Sequence, residues 1–307
     1  MKKRIFVTGG AGYIGSHVCL EFLTNNHDVL VFDDLSNSSE KAIGRVELLA
    51  NRKLQLVTGD IRNEIALNDA MATFEPDSVI HFAGLKAVGE SVAKPLQYYD
   101  VNVHGSINLL KAMDNVNCSE IIFSSSATVY GEINKPPYNE RMPVAPVSPY
   151  GRTKLIVENI LKDWTASRDI NRAVILRYFN PVGAHASGLL GEDPKDTPNN
   201  LVPLIVQTAQ QKRRELHIFG SDYDTRDGTG ERDYIHVVDL ARGHLQALLK
   251  IGNLKQFQIM NLGTGKSTTV AELISTFEKI NNISLSTNYV ERRPGDVAKS
   301  YADPTVA

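Results

Sequence analysis

The 307-residue chain has only two cysteines, Cys19 and Cys118, and a single tryptophan, Trp164. Two isolated thiols exclude a disulfide framework and suit a reducing compartment. An excess of either charge is also lacking: 33 Lys and Arg against 35 Asp and Glu leave a net charge of −2. That balance implies no basic face for nucleic acid or anionic lipid. No hydrophobic run approaches the roughly 20 residues of a membrane helix. Met1-Lys2-Lys3-Arg4 carries the charge of a signal peptide, but only Ile5-Phe6-Val7 follows before Thr8 and Gly9. A signal peptide needs an apolar stretch of roughly 7–15 residues there. A cytoplasmic protein with no membrane or nucleic-acid partner is expected.

What is present is ordinary globular composition, 42% hydrophobic and 22% charged. At roughly 150 residues per domain, the length suggests two domains. Short β-rich runs recur at Lys3–Thr8, Val29–Phe32, Leu54–Val57, Ser78–Phe82, Glu120–Phe123 and Ala173–Leu176. Helical periodicity fits between them, near Tyr13–Asn25, Lys41–Ala50, Glu64–Phe74, Leu96–Met113 and Tyr150–Trp164. Strands alternating with helices predict an α/β fold, a doubly wound parallel sheet covered on both faces. The strands are continuously apolar rather than alternating, which agrees with burial on both sides. The stretch from Pro181 to Asn200 is loop-like, with three glycines and three prolines. We place the domain boundary at its start: 1–179, then a smaller mixed α/β substrate domain over 180–307.

Two constellations carry chemistry. Gly10-x-Gly12-x-x-Gly15 follows the first predicted strand and opens the first predicted helix. Glycines there allow a tight turn and close approach of a pyrophosphate, whose charge meets a helix N-terminus. Asp33 ends the second strand, eighteen residues after Gly15. A carboxylate at that point accepts hydrogen bonds from ribose hydroxyls and repels a 2′-phosphate, so NAD is favoured over NADP. Asp60-Ile61 and Phe82-Ala83-Gly84 follow the third and fourth strands and are weaker candidates for the same ligand.

Tyr150-x-x-x-Lys154 places a phenol and an ammonium on one helix face. At about 4 Å, an ammonium stabilises a phenolate by roughly 4 kcal/mol at an effective dielectric of about 20. That is enough to bring a phenol from about 10 to about 7. Tyr150 then exchanges a proton with an alcohol while a nicotinamide exchanges a hydride. Ser126, after the fifth strand, is placed to donate to the reacting oxygen.

Thr8 to Gly15, Ser124 to Gly131 and Tyr150 to Lys154 resemble the extended short-chain dehydrogenase/reductase family, with its Rossmann-type sheet. More narrowly, His81 to Ser91, Arg177 to His185, Pro198-Asn199-Asn200-Leu201 and Asp227 to Val237 are similar to the UDP-glucose 4-epimerase family. The resemblance implies exchange at C4 of a UDP-hexose through a transient 4-keto sugar, with no net redox. It also implies bound NAD contacted by Gly9, Gly12, Tyr13, Ile14, Gly15, Asp33, Asn37, Ser38, Asp60, Ile61, Phe82, Ala83, Gly84, Lys86, Asn102, Tyr150, Lys154 and Phe179. For the UDP-sugar it implies Lys86, Ser126, Tyr150, Phe179, Asn180, Asn200, Leu201, Phe219, Arg232, Arg293, Asp296 and Ser300. The arginines agree with the chemistry, since a guanidinium fork matches a diphosphate.

Ser300 falls where family members restricted to plain hexoses carry tyrosine, so the resemblance also implies acceptance of UDP-N-acetylglucosamine. A one-residue slip would put Tyr301 there and reverse that expectation. Val101 stands where some relatives have a second asparagine. A homodimer is implied, through helices near Leu96–Met113 and Tyr150–Trp164. Further helices past Asp303 are implied too, so the sugar-binding segment is expected to lack part of its cover.

Alternatives are a net NAD-dependent nucleotide-sugar oxidoreductase, a 4,6-dehydratase and an idle nucleotide-sensing module. A dehydratase needs an acid pair after Ser126, where Ala127 and Thr128 stand instead. The module is disfavoured by an intact Tyr150, Lys154 and Ser126. Gly265-Lys266-Ser267 mimics the end of a P-loop, but the required first glycine is Met260. No histidine shows metal-ligand spacing, so no metal is expected.

Overall fold

The computed structural model describes every residue except Met1, Asp196, Thr197, Asn199 and Pro294. Strands β1 (Arg4–Thr8), β2 (Asp28–Asp33), β3 (Gln55–Thr58), β4 (Ser78–His81), β5 (Glu120–Ser126) and β6 (Arg172–Tyr178) come first. They alternate with helices α1 (Tyr13–Thr24), α2 (Glu40–Ala50), α3 (Glu64–Phe74), α4 (Val88–Ala93), α5 (Pro95–Tyr99), α6 (Gly105–Asn115) and α7 (Pro149–Ser167). The chain then adds β7 (Asn180–Val182), α8 (Leu201–Ala209), β8 (Leu216–Phe219), β9 (Glu231–Arg232) and β10 (Tyr234–His236). It ends with α9 (Val237–Lys250), β11 (Phe257–Leu262), β12 (Thr268–Thr269), α10 (Val270–Asn281), β13 (Thr287–Val290) and β14 (Lys299–Ser300).

The main sheet has seven strands in the order β11-β6-β5-β4-β1-β2-β3, every pair parallel. Strand residues alternate between two apolar cores. Ile5, Val7, Val29, Val31, Ile80, Ile122 and Val174 face α1 and α9. Phe6, Leu30, Phe32, Val79, Ile121, Phe123 and Ile175 face α3, α6 and α7. Both cores are dry, which is why the strands read as unbroken apolar runs.

The expected helices match their spans within a few residues; α4 is an additional, unexpected one, and one span differs. The expected single helix over 96–113 is α5 and α6 joined by a wide π turn at Asp100–His104. Helix α7 starts sharply: the Ser148 hydroxyl accepts from the Gly151 N–H at 3.1 Å, and Pro149 takes the first helical position. Proline there has no N–H to leave unpaired.

The boundary expected at 179/180 is crossed by the chain. After it, α9 returns to pack Leu240, Leu245 and Leu248 on α1, and β11 pairs with β6 at the sheet edge. The physical reason is exposure. Without α9, the α1 face of the sheet would meet water, and without β11 the long apolar β6 would be a bare edge. Smaller sheets of β7–β10, β8–β13 and β12–β9–β14 build the rest, with a separate core of Ile205, Leu216, Ile218, Ile274 and Leu285.

Residues 1–179 alone should therefore not fold cooperatively. Loss of the three α9 leucines, at about 2 kcal/mol each, exceeds a third of the stability of an ordinary domain. Thermal unfolding by circular dichroism with dye binding checks this; a sharp two-state melt of the fragment would contradict it.

Candidate active site

Strand β1 lies between β2 and β4, so the chain's winding reverses there and a crevice opens beyond the carboxyl ends of these strands. The glycine turn sits at that point. Gly9 has φ +70°, and a Cβ on it would lie 2.6 Å from the Ala83 nitrogen. A Cβ on Gly15 would lie 2.3 Å from the Gly9 carbonyl oxygen. Only glycine allows β1, the β4 loop and α1 to come this close. No side chain caps α1 at Gly12, so its first amides are left for an anion.

Asp33 is buried and braces this turn. One oxygen accepts from the Ala11 N–H at 2.9 Å; the other accepts from the Leu35 N–H at 2.9 Å and the Ser38 hydroxyl at 2.8 Å. Asn37 accepts from the Lys195 N–H at 3.2 Å, joining this loop to the segment after β7. The Tyr13 hydroxyl donates to the Gly183 carbonyl at 2.7 Å and burial pushes its phenol up.

Several expected contacts are engaged within the protein. Asp60 is held by the Arg62 guanidinium at 2.6 Å, and that hydrogen bond keeps its carboxyl below the usual range. The Ile61 side chain packs into the core against Gly105. Asn102, on the π turn, accepts from the Leu85 N–H at 2.8 Å and donates to the Leu85 carbonyl and the Thr153 hydroxyl, each at 3.0 Å. Its amide thus ties the loop after β4 to α7. Phe179 packs 6.3 Å from Tyr138 in a small buried cluster. Sequence spacing places these residues near the crevice, but the side-chain orientation follows from packing.

The chemical group assembles at the end of β5. Ser126 accepts from the Thr128 N–H at 3.2 Å and the Thr128 hydroxyl at 3.0 Å. Its own proton remains to be donated. The Lys154 Nζ donates to the Ser124 carbonyl at 2.8 Å and lies 5.9 Å from the centre of the Tyr150 ring. The strong depression expected for Tyr150 is absent from the chain by itself. Burial pushes its phenol up, and only the Ser126 hydroxyl pulls the other way. Burial also pushes Lys154 down to about 8, opposed by the charge of Glu158. Low dielectric disfavours both charged forms; an added positive charge nearby would favour the Tyr150 phenolate and oppose the Lys154 ammonium.

Most of the remaining residues expected on the sugar side come from the chain after β6, and Lys86 comes from the loop after β4. Lys86 pairs with Glu192 at 3.2 Å, and the Asn200 amide donates to the same carboxylate at 2.6 Å. The Arg293 guanidinium lies 3.8 Å from the centre of the Phe219 ring. Arg232 sits 3.5 Å from Asp296, and β14 places Ser300 directly beside Arg232. Asn180 opens β7 opposite Tyr234, and Leu201 opens α8. Asn199 of the Pro198–Leu201 run lies outside the described residues. The sequence reading missed Glu192, which links Lys86 to Asn200, and Glu158, whose position four residues after Lys154 was the available signal.

Above its titration Lys154 loses its charge, so turnover is expected to fall as pH rises through about 8. The pH dependence of kcat/KM between pH 6 and 10 measures this; a flat profile would count against it.

Residues 5–263 match the family described as "NAD dependent epimerase/dehydratase family". A UDP-glucose 4-epimerase of Dictyostelium discoideum is 51% identical over 305 residues, covering 99% of this chain and 89% of that protein. The crystal structure of UDP-glucose 4-epimerase from Stenotrophomonas maltophila, with bound NAD and formylated UDP-arabinopyranose, superposes with TM-score 0.96 at 45% identity. The match covers 99% of this chain and 90% of that one. The Bifidobacterium longum UDP-glucose 4-epimerase, in complex with NAD+ and UDP, has TM-score 0.94 at 46% identity over 98% of this chain and 90% of that one. The chain belongs to the NAD dependent epimerase/dehydratase family.

Proposed function

We propose that this protein is an NAD-dependent epimerase acting at C4 of UDP-hexoses, interconverting UDP-glucose and UDP-galactose. One observation carries the reading: Tyr150, Lys154 and Ser126 converge at the end of β5, beside the switch point where the glycine turn lies. The relatives that share the whole chain carry this activity in their names.

The residues present fit NAD: a turn only glycines can make, an uncapped α1 and a buried Asp33 at the end of β2. NAD, when bound, supplies the acceptor and donor of the C4 hydride. Ser126 donates its hydroxyl proton to the sugar O4 and orients it. Tyr150 removes the O4 proton on the forward step and returns it on the reverse. Lys154 supplies the positive charge that favours the phenolate. Arg232 and Arg293 hold the diphosphate, and Phe219 offers a flat face to the base. These contacts fix the nucleotide while the 4-keto sugar turns to present its other face. After Ser126, Ala127 and Thr128 supply no carboxylate, which disfavours water loss.

The NAD-holding part is residues 1–179 together with α9 and β11; the remainder of 180–307 holds the sugar. The pairing of Ser300 with Arg232 supports Ser300, not Tyr301, as the residue beside the sugar, because strand neighbours alternate faces. A serine leaves room for a C2 acetamido group, so UDP-N-acetylglucosamine is a substrate as well. Val88, Val92 and Leu96 are exposed on helices that pack against α7, which supports a homodimer through this face. Two free, buried cysteines support a cytoplasmic location.

Tyr150→Phe should lower turnover by roughly 10²–10⁴-fold while NAD stays bound. Sugar interconversion followed by NMR, with nicotinamide absorbance read together, is the measurement. Wild-type turnover, or stoichiometric NADH, would sink the mechanism. Ser300→Tyr should reduce N-acetyl turnover by roughly a hundredfold and spare UDP-glucose. Equal loss on both sugars would refute the assignment of Ser300.

A further inference from the structure

A buried ammonium needs a counter-charge, and Lys154 is 6% exposed. The side chains that face it from neighbouring strands are Phe123 on β5, whose ring centre is 4.9 Å away, and His81 on β4. His81 is neutral, since burial pushes it down to about 3. Tyr150 faces it from α7 itself, and Tyr178 on β6 and Tyr98 on α5 lie next to Tyr150; burial keeps all three phenols protonated. Among the described residues, the one carboxylate acting on Lys154 is Glu158, a single turn further along α7 and 3% exposed.

Glu158 is held from two strands. The Ser125 hydroxyl donates to Oε1 at 2.5 Å; Arg177 on β6 donates through Nε to Oε1 at 3.0 Å and through Nη2 to Oε2 at 2.6 Å. Arg177 is itself 3% exposed, and its guanidinium lies 4.9 Å from the centre of the Tyr130 ring. The Tyr130 hydroxyl donates to Asn261 at 2.7 Å, and Glu140 accepts from the Asn261 N–H at 2.7 Å, which closes the network. The three consecutive serines are thereby divided. Ser124 gives its carbonyl to Lys154, Ser125 gives its hydroxyl to Glu158, and Ser126 keeps its hydroxyl proton for the sugar.

We propose that Glu158, clamped by Arg177 and Ser125, is a positioning residue that keeps the Lys154 ammonium charged and locks the register of α7 against Ser124–Ser126. It touches neither sugar nor cofactor and acts through Lys154. A surface carboxylate would hold Lys154 weakly because water screens it; this one is buried and ion-paired with Arg177. The inference rests on the Tyr150–Lys154 acid/base reading, which Tyr150→Phe tests separately.

The experiment is the pH profile of kcat and kcat/KM of Glu158→Gln with NAD bound. Glutamine keeps the shape and loses the charge. The alkaline limb should move to lower pH by about one unit, so the loss of kcat relative to wild type is about tenfold larger at pH 9 than at pH 6.5. KM should change little, and Glu158→Asp should restore the limb. If Glu158→Gln fails to fold because Arg177 is left unpaired, the double variant Glu158→Gln with Arg177→Met removes both charges and should lower the limb by less than the full unit, since a cation goes with the anion. A limb at the wild-type pH, or a loss equal at all pH values, would overturn the proposal. An active Tyr150→Phe would overturn the underlying acid/base reading instead.

Discussion

Helix α7 runs along the face of β5 and β6 with its N-terminal turns at their carboxyl ends, and the site depends on how it is docked there. Val157, Leu161 and Trp164 press its apolar stripe into the core shared with Phe123 and Ile175. Lys154 and Glu158 anchor its polar stripe to Ser124, Ser125 and Arg177. One residue of slip rotates a helix by about 100°, which would carry Tyr150 and Lys154 away from Ser126 together. Apolar packing alone tolerates such adjustment; directional, fully buried hydrogen bonds do not.

The other walls of the crevice are referred to the same frame. Asn102 ties the loop after β4 to Thr153 on α7. Buried Asp233 accepts from the Thr264 N–H and hydroxyl, the Gly265 N–H and the Ala302 N–H. Those bonds gather β9, the loop after β11 and the strand carrying Ser300 into one unit. The residues proposed to bind the sugar are thus positioned by hydrogen bonds back to the sheet rather than by a free-standing module.

Electrostatically, burial works against charge on the site's buried groups. It raises Tyr150 and lowers Lys154 and His81. In such surroundings a single added positive charge has a large effect on the phenol, because little water is present to screen it. The Tyr150 phenol, proposed as the acid/base, therefore responds strongly to a cation placed beside it.

Sequence periodicity alone determined the parallel α/β sheet, most helix spans, the glycine turn and the Tyr150–Lys154 spacing. These are local or near-local signals: a turn only glycine can make, a four-residue repeat, an apolar run too short for a helix. It did not reveal that β11 joins the first sheet, because pairing between β11 and β6 spans about 80 residues and leaves no local mark. Nor did it show that Asn102, Ile61 and Phe179 turn inward, since a side chain's direction is set by what packs around it. Glu158 was visible only as a carboxylate one turn beyond Lys154. Its role depends on Ser125 and Arg177 arriving from two different strands, and burial gives that contact its strength.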